Sequence, residues 1–182
     1  MKMIRTLGLA AVLLGSTQVA TAASVVPNMG FESGLAGWTA VAGTGGSAGF
    51  VSNPVEAFEG NNYGRIAGNG ALTTFANVIV GNTYDFMFRF ITTDYDPFDD
   101  QAVLFKINAV SILANVIATG NISGNTYDSG WQYFSFVSPV TTQSGMISFS
   151  LYNALDSAED SQLLLDATVP LPGAALLFGS AL

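Results

Sequence analysis

Apolar and polar residues alternate along several short stretches of this chain. The clearest stretch covers residues 83–91, where aromatic side chains occupy every second position: Tyr84, Phe86, Phe88 and Phe90. Successive side chains of a strand point to opposite faces of its sheet, so this pattern predicts a strand with one aromatic face. Core packing explains that face better than stacking on a cofactor, because aromatic residues ordinarily fill the interior of a β-sandwich.

Similar patterns predict about eight strands in all. The other strands are predicted at residues 72–80, 101–107, 111–119, 131–137, 145–151 and 163–169, and residues 59–66 form a turn leading into one more. Turn-rich segments separate them, and the glycine-rich residues 43–49 are predicted to be a flexible loop. Two strands show clear faces: Phe134 and Phe136 lie opposite Trp131 and Tyr133, and Ile147, Phe149 and Leu151 point inward. The regular spacing predicts an all-β fold, an antiparallel β-sandwich or jelly roll.

The first 23 residues have the features of a secretory signal peptide. Lys2 and Arg5 precede an apolar run at residues 7–14, and small residues follow at positions 20–22, where a signal peptidase would cleave. The apolar run is too short for a transmembrane helix, which needs about 20 apolar residues. We therefore expect an exported protein whose folded domain covers residues 24–168.

Composition excludes several classes of function. The formal net charge is −8, and two of the five basic residues, Lys2 and Arg5, belong to the predicted signal peptide. Nucleic acid is therefore not expected as a partner, because few cations remain to neutralise phosphates. Cysteine and histidine are both absent, which excludes disulfides, thiolate metal sites and a Ser-His-Asp triad. An acidic surface of this kind suits calcium or a neutral ligand.

Two segments concentrate carboxylates. Residues 94–100 contain Asp94, Asp96, Asp99 and Asp100, and residues 154–161 contain Asp156, Glu159 and Asp160. The spacing in the first segment does not match an EF-hand, so we interpret it as a solvated acidic loop. The alternative is that the two loops converge and supply the paired carboxylates of a glycoside hydrolase or lyase.

The end of the chain resembles a known sorting signal. Val169, Pro170, Leu171 and Pro172 are followed by Gly173-Ala174 and an uncharged apolar run to residue 182. This segment resembles the VPLPA-type signal of PEP-CTERM proteins, with glycine in place of the usual alanine. The resemblance implies processing by an exosortase in a Gram-negative, exopolysaccharide-producing bacterium, with the C-terminal segment in the membrane beforehand. It also implies a final location at the cell surface, in the outer envelope or in the extracellular matrix. The family's complete membrane helix and basic end are missing from residues 169–182, so we expect truncation; an ordinary buried tail is the alternative.

A second resemblance rests on residues 28–38, which read Asn-Met-Gly-Phe-Glu-Ser-Gly-Leu-Ala-Gly-Trp. Together with Glu59-Gly60, Trp131 and residues 165–169, this stretch resembles galactose-binding-like jelly rolls, including carbohydrate-binding modules of the family 4/9 type. The resemblance implies a structural calcium ion held by Glu32 and Asp166, with Glu59 as a further ligand. The alternative is that Glu32 caps backbone amides and Asp166 is a solvated residue at a strand end.

The opening stretch is itself predicted to form the first edge of the sandwich, with residues 163–169 as its partner strand and Trp38 in the core. Trp38 and Trp131 are both expected to support the core rather than to stack on sugars. Tyr95, Phe98 and Tyr127 are the predicted ligand-binding residues, because exposed aromatic residues in loops often contact ligands.

Three functions remain open at this point. The first is a non-catalytic, exported, surface- or matrix-associated β-sandwich with polysaccharide as its candidate ligand. The second is a small carboxylate-dependent glycoside hydrolase or lyase. The third is a purely structural component of the matrix or of an adhesion system. A concave surface lined with aromatic residues would favour binding, and a flat polar face would favour the structural role.

Overall fold

A computed structural model of the chain describes residues 26–95, 101–107, 110–111, 115–116, 124–138, 141–152 and 161–167. These ranges contain twelve strands: β1 (Trp38–Ala42), β2 (Ser47–Ser52), β3 (Asn62–Ala67), β4 (Gly70–Val78), β5 (Thr83–Thr92), β6 (Gln101–Ile107), β7 (Val110–Ser111), β8 (Asn115–Val116), β9 (Tyr127–Asp128), β10 (Gln132–Val137), β11 (Thr142–Tyr152) and β12 (Gln162–Asp166). The predicted signal peptide, the sorting signal and most of both acidic loops lie outside the described residues. No described segment forms a helix long and apolar enough to cross a membrane.

The strands form two antiparallel sheets. Sheet A has the order β1-β4-β11-β6-β7, with β8 paired to β6, and sheet B has the order β10-β5-β12-β3-β2, with β9 paired to β5. Apart from the consecutive pairs β6-β7 and β2-β3, neighbours along these two orders come from distant parts of the chain. The last strand, β12, lies between β5 and β3. The prediction of an all-β, antiparallel sandwich is confirmed.

The core lies between the two sheets and is rich in aromatic residues. Tyr84, Phe86 and Phe90 on β5 are buried as predicted. Phe86 meets Phe149 of sheet A edge to face, with ring centroids 4.9 Å apart, and Phe149 lies 6.0 Å from the ring of Trp38. Burying large side chains of this kind stabilises the fold by about 1.5–3 kcal/mol each relative to leaving them exposed.

The opening stretch is not the edge strand that the sequence predicted. Residues 28–37 form a series of turns, and β1 begins only at Trp38, where it pairs with β4 in sheet A. Asn28 and Phe31 have positive φ angles of 49° and 54°, which a strand does not allow. The Asn28 side chain holds the turns by donating to Gly34 O and Ala36 O. The stretch still reaches the closing strand, because Gly30 lies against Asp166 and Ala167.

Other strand boundaries differ by a few residues from the predictions. Part of the glycine-rich segment predicted as a loop belongs to β2, which pairs with β3 along its whole length. Glycine disfavours strands only weakly, and pairing with a neighbouring strand overrides that preference. Of the strand predicted at 111–119, the described residues include only the short strands β7 and β8.

Candidate functional site

The outer face of sheet B carries a row of residues that crosses all five main strands. On β12, Leu164 lies opposite Arg65 of β3 on one side and opposite Arg89 of β5 on the other. Gly49 of β2 lies opposite Arg65, and Trp131 directly precedes β10 beside β5. These five residues, here called the arginine row, lie on the face of sheet B opposite to Leu163, Leu165 and Phe90, which point into the core. Leu164, in the middle of the row, is 1% exposed and is therefore covered by its neighbours.

Arg89 is fully compensated by acidic side chains. Its Nε and Nη2 atoms donate to the two carboxylate oxygens of Asp128, at 2.9 Å and 2.5 Å. Its Nη1 atom also lies 3.7 Å from Glu56 Oε1. The hydrogen bond from Arg89 lowers the pKa of Asp128, and the same bond raises the pKa of Arg89. Asp128 is therefore ionised and Arg89 is held in one orientation at neutral pH.

Residues 53–61, here called the strap, cross the outer face of sheet B beside the arginine row. The ends of the strap are joined by a hydrogen bond from Asn53 N to Asn61 O, at 2.9 Å. In its middle, Glu56 O accepts a hydrogen bond from Trp131 Nε1 at 3.0 Å, and Glu56 Oε2 accepts one from the Tyr63 hydroxyl at 2.6 Å. Burial, followed by the hydrogen bond to Glu56, raises the pKa of Tyr63 to about 12.

Trp131 is the aromatic centre of this surface. Its ring lies 6.0 Å from that of Phe58 in the strap and 6.4 Å from that of Tyr63, measured between centroids. Two residues further along β10, Tyr133 is 60% exposed on the same face. Its hydroxyl donates to Asp85 Oδ1, as does the hydroxyl of Ser135. The face thus combines aromatic rings with oriented hydrogen-bonding groups.

The other end of the arginine row is more open. Arg65 Nε donates to Gln162 Oε1 at 3.0 Å, and among the described residues Arg65 makes no salt bridge. Next to it, a Cβ built on Gly49 would have no atom within 4 Å. The row therefore runs from an aromatic platform at Trp131 to open space at Gly49, on the β2 side of Arg65.

No family model and no curated protein matches the chain. Several solved structures are similar to it in fold. A family 61 carbohydrate-binding module in complex with β-1,4-galactotriose has 15% identity over 80% of this chain and 96% of its own, with a TM-score of 0.47. A family 4 carbohydrate-binding module has 18% identity over 76% and 96%, with a TM-score of 0.42. A Stig cyclase from Fischerella sp. TAU has 16% identity over 81% and 99%, with a TM-score of 0.42.

These three structures all have TM-scores to this chain below 0.5. They include both binding modules and an enzyme, so a likeness at this level concerns the fold and does not assign a function. The chain's own residues must supply the functional argument.

Two of the three acids predicted to bind calcium, Glu32 and Asp166, accept hydrogen bonds from backbone amides. Glu32 Oε1 accepts hydrogen bonds from Asn61 N and Asn62 N, at 2.8 Å and 2.9 Å. Asp166 Oδ2 accepts from Phe58 N and Glu59 N, and Oδ1 accepts from Ala167 N. Asp166 is fully buried rather than solvated, and burial raises its pKa to about 6. The alternative interpretation of Glu32 as a cap on backbone amides matches this geometry.

Calcium at these acids stays a prediction. In the described part of the chain, no three acidic side chains are grouped so that they could hold a metal ion. A calcium ion needs about six to eight oxygen ligands, and Glu32 Oε1 and both carboxylate oxygens of Asp166 already accept amide hydrogens. The donor set therefore does not fit the ion unless the strap rearranges.

The three predicted ligand-binding aromatic residues have different positions. Tyr127, on β9, is 39% exposed, and its ring lies 6.5 Å from that of Phe90, on the side of the sheet opposite to Asp128. Tyr95 is half-buried just after β5, and Phe98 lies outside the described residues. The structure does not place Tyr127 on the face of the arginine row, and a ligand role for the three residues stays a prediction.

Trp38 and Trp131 have different roles. Trp38 is in the core, as expected, and its Nε1 donates to Pro27 O and Asn28 O. Trp131 is outside the core and half-buried on the outer face. The alternation in residues 131–137 could have identified the outward position of Trp131. It puts Trp131 and Tyr133 on the face opposite to Phe134 and Phe136.

Proposed function

We propose that this protein is a non-catalytic, exported β-sandwich that binds polysaccharide on the outer face of sheet B. The arginine row carries the proposal, because it combines a partly exposed indole ring with fixed polar groups along one continuous line. Sugar rings have apolar faces that stack on aromatic side chains and hydroxyl groups that need oriented donors and acceptors. Trp131, Tyr133, Arg89 and Asp85 supply these two kinds of contact.

The rigidity of this face supports binding. Arg89 is held by both oxygens of Asp128, and Trp131 is held by its hydrogen bond to Glu56 O. Side chains fixed before the ligand arrives lose less conformational entropy on binding, so more of the contact energy contributes to affinity. A surface of free side chains would not have this advantage.

The row runs across the strands, which makes it long enough for a chain of sugars. Neighbouring strands lie about 4.8 Å apart, so five strands span roughly 19 Å. The strap borders the row on one side. An extended polysaccharide lying along the strap would contact Trp131 at one end and Arg65 at the other.

The cellular part of the proposal rests on the ends of the sequence. A secretory signal at residues 1–23 and a PEP-CTERM-like segment at residues 169–182 support export, processing by an exosortase and a location at the cell surface or in the matrix. A polysaccharide-binding face would then attach the protein to exopolysaccharide.

A hydrolase or lyase has less support. Of the acids in the two loops suggested for catalysis, only Asp94 lies in the described residues. Its side chain is 1% exposed and lies 3.5 Å from the hydroxyl of Ser161, which also donates to Thr92. A buried acid of this kind serves the interior of the domain and does not face a substrate cleft.

Binding to a panel of soluble neutral and acidic polysaccharides, measured by affinity electrophoresis and calorimetry, tests the proposal. We expect Trp131→Ala and Tyr133→Ala each to weaken binding on the order of tenfold, because each loses an aromatic contact worth about 1 kcal/mol or more. Phe75→Ala is the matched control, since Phe75 is 61% exposed on β4 of sheet A. Failure of every polysaccharide to bind, or equal losses in the Phe75 variant, would contradict the proposal.

A further inference from the structure

We infer that the polysaccharide bound by this face carries carboxylate groups and that Arg65 binds one of them through the end of its guanidinium group. This inference rests on the proposed function and adds the chemical class of the ligand. It depends on the difference between the two arginines of the row, on the geometry of Arg65 and on the open space beside it.

The two arginines of the row are neighbours but are paired differently. They are separated by Leu164 alone, so their backbones lie roughly 10 Å apart across β12. Arg89 has a bidentate partner in Asp128 and a second carboxylate nearby in Glu56. Arg65 has the neutral Gln162 as its hydrogen-bond partner among the described residues.

Among the described residues Arg65 has no acidic partner, which is notable in this particular chain. The sequence has 13 acidic and five basic residues, so acidic partners are plentiful. Arg65 is also half-buried, and partial desolvation makes a charge without a counter-charge costly. An anionic group of a bound ligand would supply the missing counter-charge.

The orientation of Arg65 suits a carboxylate. Gln162 accepts from Nε at 3.0 Å, which fixes the plane of the guanidinium group and leaves the two terminal nitrogens at its end. The hydrogens of these two nitrogens match the spacing of two carboxylate oxygens, and such bidentate contacts are stronger than neutral hydrogen bonds. A lysine at this position could not provide the same fork.

Gly49, directly opposite Arg65 on β2, leaves open space on that side of Arg65 for a ligand that carries a carboxylate. A Cβ on this glycine would have no neighbour within 4 Å, although Gly49 is directly opposite Arg65 in the sheet. On the same face, the next position of β3 is the small residue Ala67, opposite Ser47 of β2. A larger side chain at Gly49 would extend into this open space on the β2 side of Arg65.

The net negative charge of the protein opposes an anionic ligand at long range. At physiological salt, charges separated by more than about 8 Å are largely screened, whereas a direct contact with Arg65 is not. The local contact therefore decides the preference, and the overall charge mainly slows association.

Matched pairs of oligosaccharides test the inference in the purified protein. Each uronic-acid oligosaccharide is compared with its carboxyl-reduced form, which has the same backbone without the charge. The oligosaccharides come from polymers of galacturonate, mannuronate, guluronate and glucuronate. We expect the protein to bind at least one acidic form about tenfold more tightly than its reduced counterpart. Arg65→Gln should abolish this preference, and Arg65→Lys should restore only part of it.

Gly49→Leu gives an independent readout, because it occupies the open space on the β2 side of Arg65 and leaves Arg65 in place. This variant should lose affinity for the acidic form, while Gly49→Ala should lose less and both should keep the melting temperature of the wild type. Equal affinity of the wild type for acidic and reduced forms, or an unchanged preference in Arg65→Gln, would overturn the inference and leave the proposed function standing. If neither form of any oligosaccharide binds, the proposed function itself fails, and this inference with it.

Discussion

Two glycines on neighbouring strands of sheet B differ strongly in the space that surrounds them. A Cβ on Gly64 would lie 2.5 Å from two ring atoms of Phe31 and 3.0 Å from Leu72 Cδ1, whereas a Cβ on Gly49 would touch nothing. Phe31 is fully buried and adopts a positive φ angle that bulky residues rarely use. The absence of a side chain at Gly64 therefore leaves space for the ring of Phe31, which the turns of the opening stretch place in the core.

Substituting Gly64 by alanine should destabilise the protein by about 1–3 kcal/mol, because the new methyl group overpacks a closed part of the core. Gly49→Ala should change the free energy of unfolding by less than about 0.5 kcal/mol, as expected for an open surface position. Urea unfolding followed by tryptophan fluorescence measures both. A Gly64→Ala variant as stable as Gly49→Ala would show that Phe31 is not packed against Gly64.

Asp166 makes stability depend on pH. Burial raises its pKa to about 6, compared with roughly 3.9 in an unfolded chain. The folded state therefore binds the proton more tightly, so its contribution is most favourable below about pH 4 and is lost as the pH rises through 6. The loss amounts to something on the order of 2 kcal/mol.

Urea unfolding of the wild type and of Asp166→Asn between about pH 4 and pH 7 measures this effect. The asparagine keeps an oxygen that accepts from the amides of Phe58 and Glu59 but does not titrate. We expect the wild type to lose stability relative to the variant as the pH rises. Parallel curves over this range would mean that Asp166 is already ionised in the folded protein at low pH.

At the scale of elements, the strap is held to sheet B mainly by polar contacts. Glu32 and Asp166 accept hydrogen bonds from backbone amides of the strap or of the residue directly after the strap. Within the strap, Glu56 contacts Tyr63, Trp131 and Arg89. These contacts come from β3, β5, β12 and the start of β10. The strap is thus one element that several strands position together, and it forms the border of the arginine row.

The hydrogen bond between Glu56 and Tyr63 should contribute measurably to stability, because Tyr63 is 2% exposed and its hydroxyl loses this partner when Glu56 is removed. A double-mutant cycle with Glu56→Ala and Tyr63→Phe should give a coupling free energy of about 1 kcal/mol or more.

The matched cycle uses Asp85→Ala and Tyr133→Phe, whose hydrogen bond has a similar geometry but lies on an exposed surface. Its coupling should stay below about 0.5 kcal/mol, since water replaces the lost contact. Equal coupling in the two cycles would show that the strap does not shield Tyr63 from solvent.

At the scale of the whole molecule, the first and last described segments are joined without disulfides. Gly30 packs against Asp166 and Ala167, and Asp166 in turn binds the strap that Glu32 also holds. The resemblance to calcium-binding jelly rolls placed an ion at this junction. In the structure, backbone amides donate to Glu32 Oε1 and to both carboxylate oxygens of Asp166.

Thermal unfolding with calcium and with a chelator distinguishes the two arrangements. Because amides already bind these carboxylates, we expect the wild type to have the same melting temperature with calcium and with the chelator. Asp166→Ala should have a lower melting temperature than the wild type under either condition. An increase with calcium that disappears in Asp166→Ala would establish the ion at this junction, since a ligand that binds only the folded state raises its stability. Magnesium at the same concentration serves as the control for ionic strength.

Much of the fold could be predicted because strand patterns are local. The alternation at 83–91 and 145–151 identified both the strands and their buried faces, since every second side chain of a strand must share one environment. β2 was missed because Gly49 and its small neighbours carry no clear pattern, and its pairing with β3 holds it in the sheet. The opening stretch was mistaken for a strand because nothing local shows that Phe31 takes a positive φ angle.

The sequence by itself determined the all-β class, the aromatic core and the exclusion of cysteine and histidine chemistry, because these follow from composition and from periodicity within single strands. Only the tertiary structure brought Gly49, Arg65, Leu164, Arg89 and Trp131 into one line. These residues come from five separate parts of the chain, and antiparallel pairing across distant segments decides their register. A candidate site that is assembled across strands in this way has no local signature, so it becomes visible only when the sheet is formed.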